Sequence, residues 1–303
     1  MRQCTAIIVT HNSGEAITAC LEALSREDCD IVVVDNASQD STVQRIEEVV
    51  AWHQLRLLAN DRNRGFAAAV NQGAQEATGD VLLLLNPDAI AEPGAIKALL
   101  KCVEASQAGA VGGALLREDG HPARGLTFRR LPTVTALVYE ALLINQLWPG
   151  NSVNRRYRCL DADYSQPQQV EQPAGACLAI TRDAWNAVGS FDESFFPVWF
   201  EDVDYCQRLL DQGVTVVYCP QARFRHSGAH SVGQLFFRDK QVLWYGNMLR
   251  YARKHFSSGQ VRILRTGIFV GMLLRSMAAL LGVRQHPLRE TLAAYWAVLQ
   301  RTL

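Results

Sequence analysis

Three clusters in this chain hold groups that can move a proton or bind a cation. The apolar run Val81–Leu85 stops abruptly at Asn86-Pro87-Asp88, FEDVDYC carries Glu201, Asp202 and Asp204, and ARFRHSGAH supplies His226 and His230. An ionised carboxylate only accepts hydrogen bonds, so it can take a proton from a hydroxyl or hold a hard cation, and neutral imidazole suits Mn²⁺. Two further clusters, Thr10-His11-Asn12-Ser13 and Asp35-Asn36-Ala37-Ser38-Gln39-Asp40, are rich in hydrogen-bonding side chains. In Asn63-Arg64-Gly65 a glycine precedes a helical stretch that contains Asn71. Backbone N–H groups and the helix dipole could there face a phosphate.

These groups can act together only if the fold brings them to one edge. Short β-branched runs predict strands at Thr5–Val9, Asp30–Val34, Leu55–Ala59, Val81–Leu85 and Ala110–Leu116, alternating with helices near Glu15–Leu24, Thr42–Val50, Phe66–Ala77 and Gly94–Ala105. That alternation specifies an α/β fold with a mostly parallel sheet covered on both faces, which explains why IVVV and VLLLL are continuous rather than alternating. Ligands in such sheets sit beyond the carboxyl ends of the strands, and three of these strands end in the polar clusters above. From about Leu126 to Gln172 no period emerges, so a variable acceptor-facing segment, a mobile loop or a plain surface connection is expected. GACLAITRDAW then restores order, FEDVDYCQRLLDQG reads as an amphipathic helix ended by Gly213, and VTVVYCP and ARFRH read as two strands.

The 303 residues suit one large domain with an appendage, divided here as 1–230 and 231–303. Apolar residues make up 49% and charged residues 20%, enough for a substantial core. The net charge of zero hides an asymmetry: eleven Lys/Arg face two Asp/Glu from His226 to Leu303, leaving 19 basic and 28 acidic residues before them. An acidic part that handled phosphates would need a cation, and a basic tail suits an anionic membrane surface. Helices are expected at about Leu235–Phe256, Val261–Val283 and Pro287–Leu299. The middle one carries 18 residues from Thr266 to Val283 with a single charge, Arg275, near the centre, which favours an interfacial or core helix over a membrane span. The eight cysteines lack metal-like or C-x-x-C spacing, and the N-terminus lacks the pattern of a secretion signal, so free thiols in a reducing cytosol are expected. Nothing accompanies the basic charge that would mark a nucleic-acid binder.

Neither a G-x-G-x-x-G dinucleotide loop nor a P-loop follows the first strand. The ordered series IIVTHNS, VVVDNASQDST, NRGFAAAVNQG, LLLLNPDA, GACLAITRDA, FEDVDYCQR and RHSGAHS instead resembles the inverting family 2 glycosyltransferases of GT-A fold, in particular their bacterial rhamnosyltransferase-like branch. The likeness runs over roughly residues 5 to 235. It implies a transferase that moves a sugar, L-rhamnose from dTDP-rhamnose in that branch, from a nucleotide-diphosphate donor of dTDP or UDP type to a glycan or lipid-linked acceptor.

Residue by residue, the likeness places Thr10, Asn12, Asp35 and Asn36 on the nucleotide, with Arg64, Gly65 and Asn71 beside the donor. Asp35 could accept from a pyrimidine N3–H; the alternative is that Asp35, Asn36 and Asp40 merely cap the next helix. Asn86-Pro87-Asp88 stands where the family has a D-x-D cation motif, Asn replacing the first Asp. Asp88 and His226 are then the expected ligands of Mn²⁺ or Mg²⁺, with Asn86 near the ribose or metal. Asp202 matches the family's general base, with Glu201 and Asp204 shaping the site or exchanging roles with it, although acids at a helix start also simply complement the dipole. Gly175 and Ala176 would border the acceptor. Peripheral contact of the C-terminal helices with the inner face of the cell membrane suits a lipid-linked acceptor. Two rivals are a sugar-nucleotide pyrophosphorylase, whose glycine-rich loop is missing, and a non-catalytic nucleotide-sugar-binding subunit, which would have little need of a base. Oligomeric state is not legible in these residues.

Overall fold

The computed structural model describes residues 2–50, 55–226, 228 and 235–302. Eleven strands are described: β1 (Cys4–Thr10), β2 (Asp30–Asp35), β3 (Leu55–Ala59), β4 (Val81–Leu85), β5 (Ala89–Ala91), β6 (Ala110–Leu116), β7 (Phe128–Arg129), β8 (Gln168–Gln169), β9 (Gln172–Pro173), β10 (Cys177–Thr181) and β11 (Val216–His226). The main sheet runs β3-β2-β1-β4-β10-β6-β11-β5, with β8 also paired to β11, while β7 and β9 form a separate antiparallel pair. Strands β1 to β4 are mutually parallel, as the continuous apolar runs predict: Val81 to Leu85 are all buried, with helices covering both faces.

Strand β10 lies antiparallel between β4 and β6, with Cys177 opposite Leu85. Its N-terminal end therefore meets the C-terminal ends of β1, β2, β4 and β6. β11 runs parallel to β6, so His226 closes the same edge. Sequence reading expected two strands here, VTVVYCP and ARFRH. The structure has one, whose register shifts between Cys219 and Arg223, a bulge around Pro220, which has no N–H to give to the ladder.

The stretch expected to be irregular is partly helical, with helices at Val134–Ala141, Ile144–Leu147 and Ser152–Tyr157. Thr133 caps the first by accepting from Ala136 N, and Asn151 caps the third through Asn154 N. All eight cysteines are free, as expected.

The three C-terminal helices, Phe237–His255, Ser258–Leu280 and Leu288–Thr302, start and end within three residues of their expected limits. They share a core with the rest of the chain: Met248, Tyr251, Ile268 and Met272 pack in one cluster with Leu137, Phe195, Phe200 and Val203. A polar clamp reinforces the contact. Asp204, fully buried, takes Arg208 Nε at 2.9 Å, Lys254 Nζ at 2.8 Å and His255 Nε2 at 2.7 Å.

Ser258–Leu280 is, among the described residues, the one helix long and apolar enough to cross a membrane. Arg275, its central charge, is not left to solvent or lipid: its Nη1 donates to the carbonyls of Ala141 and Gly271, and its Nη2 to that of Glu140. It thereby satisfies the C-terminal carbonyls of the helix Val134–Ala141. The two helices touch where Gly271 lies against the Ala141 carbonyl, and a Cβ on Gly271 would stand 2.1 Å from that oxygen. This is a packed helix with one open face.

Candidate active site

Register, more than local sequence, assembles this site. β5 pairs antiparallel with β11 so that Ala89 opposes His226, which sets the imidazole beside Asp88. The turn Asn86-Pro87-Asp88 closes through Ala89 N to Asn86 O at 3.0 Å, while Asn86 N donates to Ala176 O at 3.0 Å. One residue earlier, Gly175 N donates to Asp202 Oδ2 at 3.1 Å. A continuous path of backbone thus joins Asp202, Gly175, Ala176, Asn86 and Asp88 along the edge.

Asp88 is buried, its Oδ2 accepting from Gly228 N at 3.0 Å and its Oδ1 lying 3.3 Å from His226 Nε2. Burial alone would raise its carboxyl, but His226 and the Gly228 N–H outweigh that and hold it below the usual aspartate value. The His226–Asp88 contact lacks hydrogen-bond geometry. Both ring nitrogens of His226 are buried and have no hydrogen-bond partner among the described residues. A buried imidazole with unused nitrogens beside an ionised carboxylate is a donor set that fits a divalent cation. Among the described residues no third His, Cys, Asp or Glu joins them, so other ligands would have to come from substrate oxygens or water. His230 lies outside the described residues.

Asp202 sits in the first turn of the helix Glu201–Asp211, partly accessible but closely surrounded by protein. Burial pushes its carboxyl up, while the Gly175 and Val203 N–H groups and the charge of Arg129 pull part of the way back. The hydrogen bonds supporting its anion are 3.1 Å from Gly175 N and 2.8 Å from Val203 N. Gly175 touches it closely, since a Cβ there would come within 3.1 Å of Asp202 Cβ. The neighbouring Glu201 differs. It is 4% exposed, its Oε2 has no partner, and burial first, then the Asp202 charge, push its carboxyl well above the ordinary range. A carboxyl held neutral is a poor general base.

That difference predicts a pH effect on stability. Above the ordinary glutamate value of about 4.3, the unfolded chain loses the Glu201 proton while the folded chain keeps it, so this residue makes stability fall as pH rises. The Glu201→Gln variant cannot lose a proton there. Its melting temperature relative to the wild type should therefore be higher at pH 8 than at pH 5; a pH-independent difference would mean that Glu201 is ionised in the fold.

The residues expected on the nucleotide form a hydrogen-bonded floor more than an exposed surface. Thr10 Oγ1 donates to Asp35 Oδ1 at 2.8 Å, Ser38 Oγ donates to the same oxygen at 2.5 Å, and Ser38 N donates to Oδ2 at 2.9 Å. Asp35 is 1% exposed, and three donors leave about one of its four lone-pair sites for a ligand. Asn36, also buried, donates to Gly65 O at 3.1 Å and accepts from Asn60 Nδ2 at 3.0 Å. Asn12 Oδ1 accepts from Gln39 N at 2.7 Å, and Asn12 and Arg64 keep solvent access. Gly65 adopts φ +84° and lies against Phe196, where a Cβ would meet the ring at 2.8 Å.

One residue serves a purpose other than the one expected of it. The Asn71 amide is spent on Phe191, donating to its carbonyl at 2.9 Å and accepting from its N–H at 2.8 Å, so the structure places it under the 191–193 turn and not in the site. Asp40 takes the capping role given as its alternative, accepting from Gly14 N and Thr42 N at 3.0 Å each and tying two helix starts together. Ser38, Gly228 and Arg129 were not singled out from sequence. Ser38 was visible in the D-x-x-S-x-D pattern, whereas the other two act through a backbone N–H and from an aperiodic stretch.

The model of Glycosyl transferase family 2 matches residues 5–158. The chain is 31% identical over 276 residues to the N-acetylglucosaminyl-diphospho-decaprenol L-rhamnosyltransferase of Mycobacterium tuberculosis, covering 81% of this chain and 87% of that protein. It is 26% identical over 261 residues to rhamnosyltransferase WbbL of Escherichia coli, covering 84% and 94%. The fold superposes with TM-score 0.58 on a mannosyltransferase of Pyrobaculum calidifontis solved with GDP-Man and Mn²⁺, at 16% identity and covering 99% of this chain and 84% of that one. The GT-A architecture implied by the motifs is therefore the fold found, and the chain belongs to glycosyl transferase family 2, among its rhamnosyltransferase-like glycosyltransferases.

Proposed function

We propose that this enzyme transfers L-rhamnose from dTDP-rhamnose, with inversion, to a hydroxyl of a lipid-linked polysaccharide precursor. The observation that carries the reading is Asp202, a partly accessible carboxylate held by the Gly175 N–H on the same sheet edge as Asp88 and His226. Residues 1–230 would supply both donor site and base, and residues 231–303 a brace and membrane contact. Asp88 and His226 would hold Mn²⁺ or Mg²⁺, which when bound neutralises diphosphate charge and assists the leaving group. Asp202 takes the proton from the acceptor hydroxyl as that oxygen attacks the anomeric carbon from the face opposite the nucleotide. Thr10, Asp35 and Asn36 fix the floor on which Asn12 and Arg64 meet the nucleotide. The sugar draws on the names of the two rhamnosyltransferase relatives, the dTDP carrier on the motif resemblance, and the acceptor class on the name of the mycobacterial relative. The test is transfer from dTDP-L-rhamnose to a short-chain prenyl diphosphate bearing N-acetylglucosamine, with the product examined by NMR. One displacement requires an inverted anomeric centre; retention would exclude Asp202 as a simple base.

The open face of the helix Ser258–Leu280 supports attachment to the cytoplasmic surface of the membrane. Leu273, Leu274 and Met277 are 44, 46 and 60% exposed, and Val270, Leu280 and Leu281 extend the same stripe. Arg262 and Arg284 flank it within a strongly basic tail, where each charge near an anionic leaflet contributes about 1 kcal/mol. Because these helices share a core with Phe195 and Phe200, deleting them would unfold their surroundings, so surface substitutions are the better probe. Replacing Leu273, Leu274 and Met277 by serine should cut co-flotation with phosphatidylglycerol vesicles severalfold while preserving the melting temperature. Unchanged flotation would remove this face from the membrane.

A further inference from the structure

A cavity of about 680 Å³ is lined by residues between Phe128 and Glu171. Its walls carry Arg129, Arg130, Arg155 and Arg156 against two acids, Asp161 and Glu171. Both acids are engaged. Asp161 pairs with Arg155, and Glu171 accepts from Leu131 N at 2.8 Å and lies 3.6 Å from Arg130. Arg129 and Arg156 have no carboxylate partner within ion-pair distance among the described residues. Arg129 is pre-set: its Nε donates to Gly125 O at 2.6 Å and its guanidinium lies 5.9 Å from the centre of the Tyr157 ring. A half-buried, oriented guanidinium with no carboxylate partner in a cationic hollow is suited to phosphate oxygens.

The cavity's position separates it from the donor side. Gln168 and Gln169 on its wall pair with Tyr218 and Val217, at the far end of β11 from His226, roughly 25 Å along the strand by the usual rise per residue. Yet Arg129 pairs across β7–β9 with Gln172, three residues before Gly175, whose N–H supports Asp202, and its charge is felt at Asp202 itself. Arg129 therefore links the hollow to the Asp202 side, while its Gln168–Gln169 wall lies away from His226.

We propose that this cavity binds the diphosphate of the acceptor, Arg129 and Arg156 gripping its oxyanions so that the linked sugar presents its hydroxyl to Asp202. The assignment rests on the glycosyl-transfer reading above for the acceptor's role, but the binding event can be read without turnover. The probes are geranyl diphosphate, geraniol and dTDP with Mn²⁺, titrated calorimetrically against the full chain and its Arg129→Gln/Arg156→Gln variant. Arg156→Glu, a substitution at an exposed residue, serves as a second variant should the first lose its fold. Geranyl diphosphate should bind the wild type, geraniol should not, and the variants should weaken the diphosphate by at least about tenfold while dTDP affinity stays within about twofold. Undiminished diphosphate binding in the variants, or none in the wild type, overturns the proposal. Parallel loss of dTDP overturns it too, by giving the cavity to the donor. Failure of the wild type to bind dTDP with metal would instead strike the donor assignment, and the geranyl diphosphate arm would still decide the cavity.

Discussion

Asp202→Asn should bind the nucleotide-sugar donor with affinity close to that of the wild type and lose turnover by roughly 10²- to 10⁴-fold, the usual contribution of a general base. The substitution keeps the size of the side chain and an oxygen that can still accept from Gly175 N or Val203 N, so the helix start should survive. What disappears is the carboxylate's basic lone pair. The wild type should also show an acid limb in its kcat/KM profile, set by a carboxyl that burial raises above the ordinary aspartate value. As pH falls through that raised value the base is protonated and activity is lost; the limb should be absent from the residual activity of Asp202→Asn. Near-normal turnover in this variant would remove Asp202 from the chemistry and return attention to Glu201, although burial pushes that carboxyl well above its ordinary range.

Asp88→Ala should act on a different step, weakening donor binding in the presence of Mn²⁺ to the level that the wild type shows in EDTA. The carboxylate is the one anionic group paired with the unused imidazole of His226, and no other acidic or sulfur side chain converges on them among the described residues. Removing it also frees Gly228 N–H, so the adjoining backbone loses one of its fixed points. His226→Ala should reproduce part of the loss and leave the Gly228 contact in place. Donor affinity that responds to Mn²⁺ equally in Asp88→Ala and wild type would take the cation away from this pair.

Much of this architecture was legible because continuous apolar runs have only one comfortable place in an α/β fold. The five strands expected from β-branched runs appear within about a residue of their limits, since four of them are buried on both faces and leave no ambiguity about where polarity begins, while Leu55–Ala59 is the part-exposed sheet edge. Elements fixed by tertiary pairing were not legible. β5 is three residues long and owes its existence to β11. The helix Val134–Ala141 has β-branched and aromatic residues that argue for a strand, and the Thr133 cap with packing against Ser258–Leu280 overrides that preference. Asp88 and His226 announced themselves as polar residues ending strands, whereas Asp202 stood among acids at a helix start and was marked by the family likeness. Sequence could not distinguish a side chain facing a ligand from one supporting the floor beneath it. Thr10, Asp35 and Asn36 hydrogen-bond among themselves and to Ser38, Gly65 and Asn60, and Asn71 serves a neighbouring turn.

The central claim is a cation-dependent sugar transferase whose donor side lies at Asp88 and His226. Its most direct test is nucleoside diphosphate release by the purified full chain from a panel of dTDP-, UDP- and GDP-sugars, with the prenyl diphosphate N-acetylglucosamine acceptor present, in Mn²⁺ and in EDTA. Release from dTDP-L-rhamnose that Mn²⁺ supports and EDTA abolishes is the predicted result. Release that EDTA leaves unchanged, or no release from any donor in the panel, would contradict it.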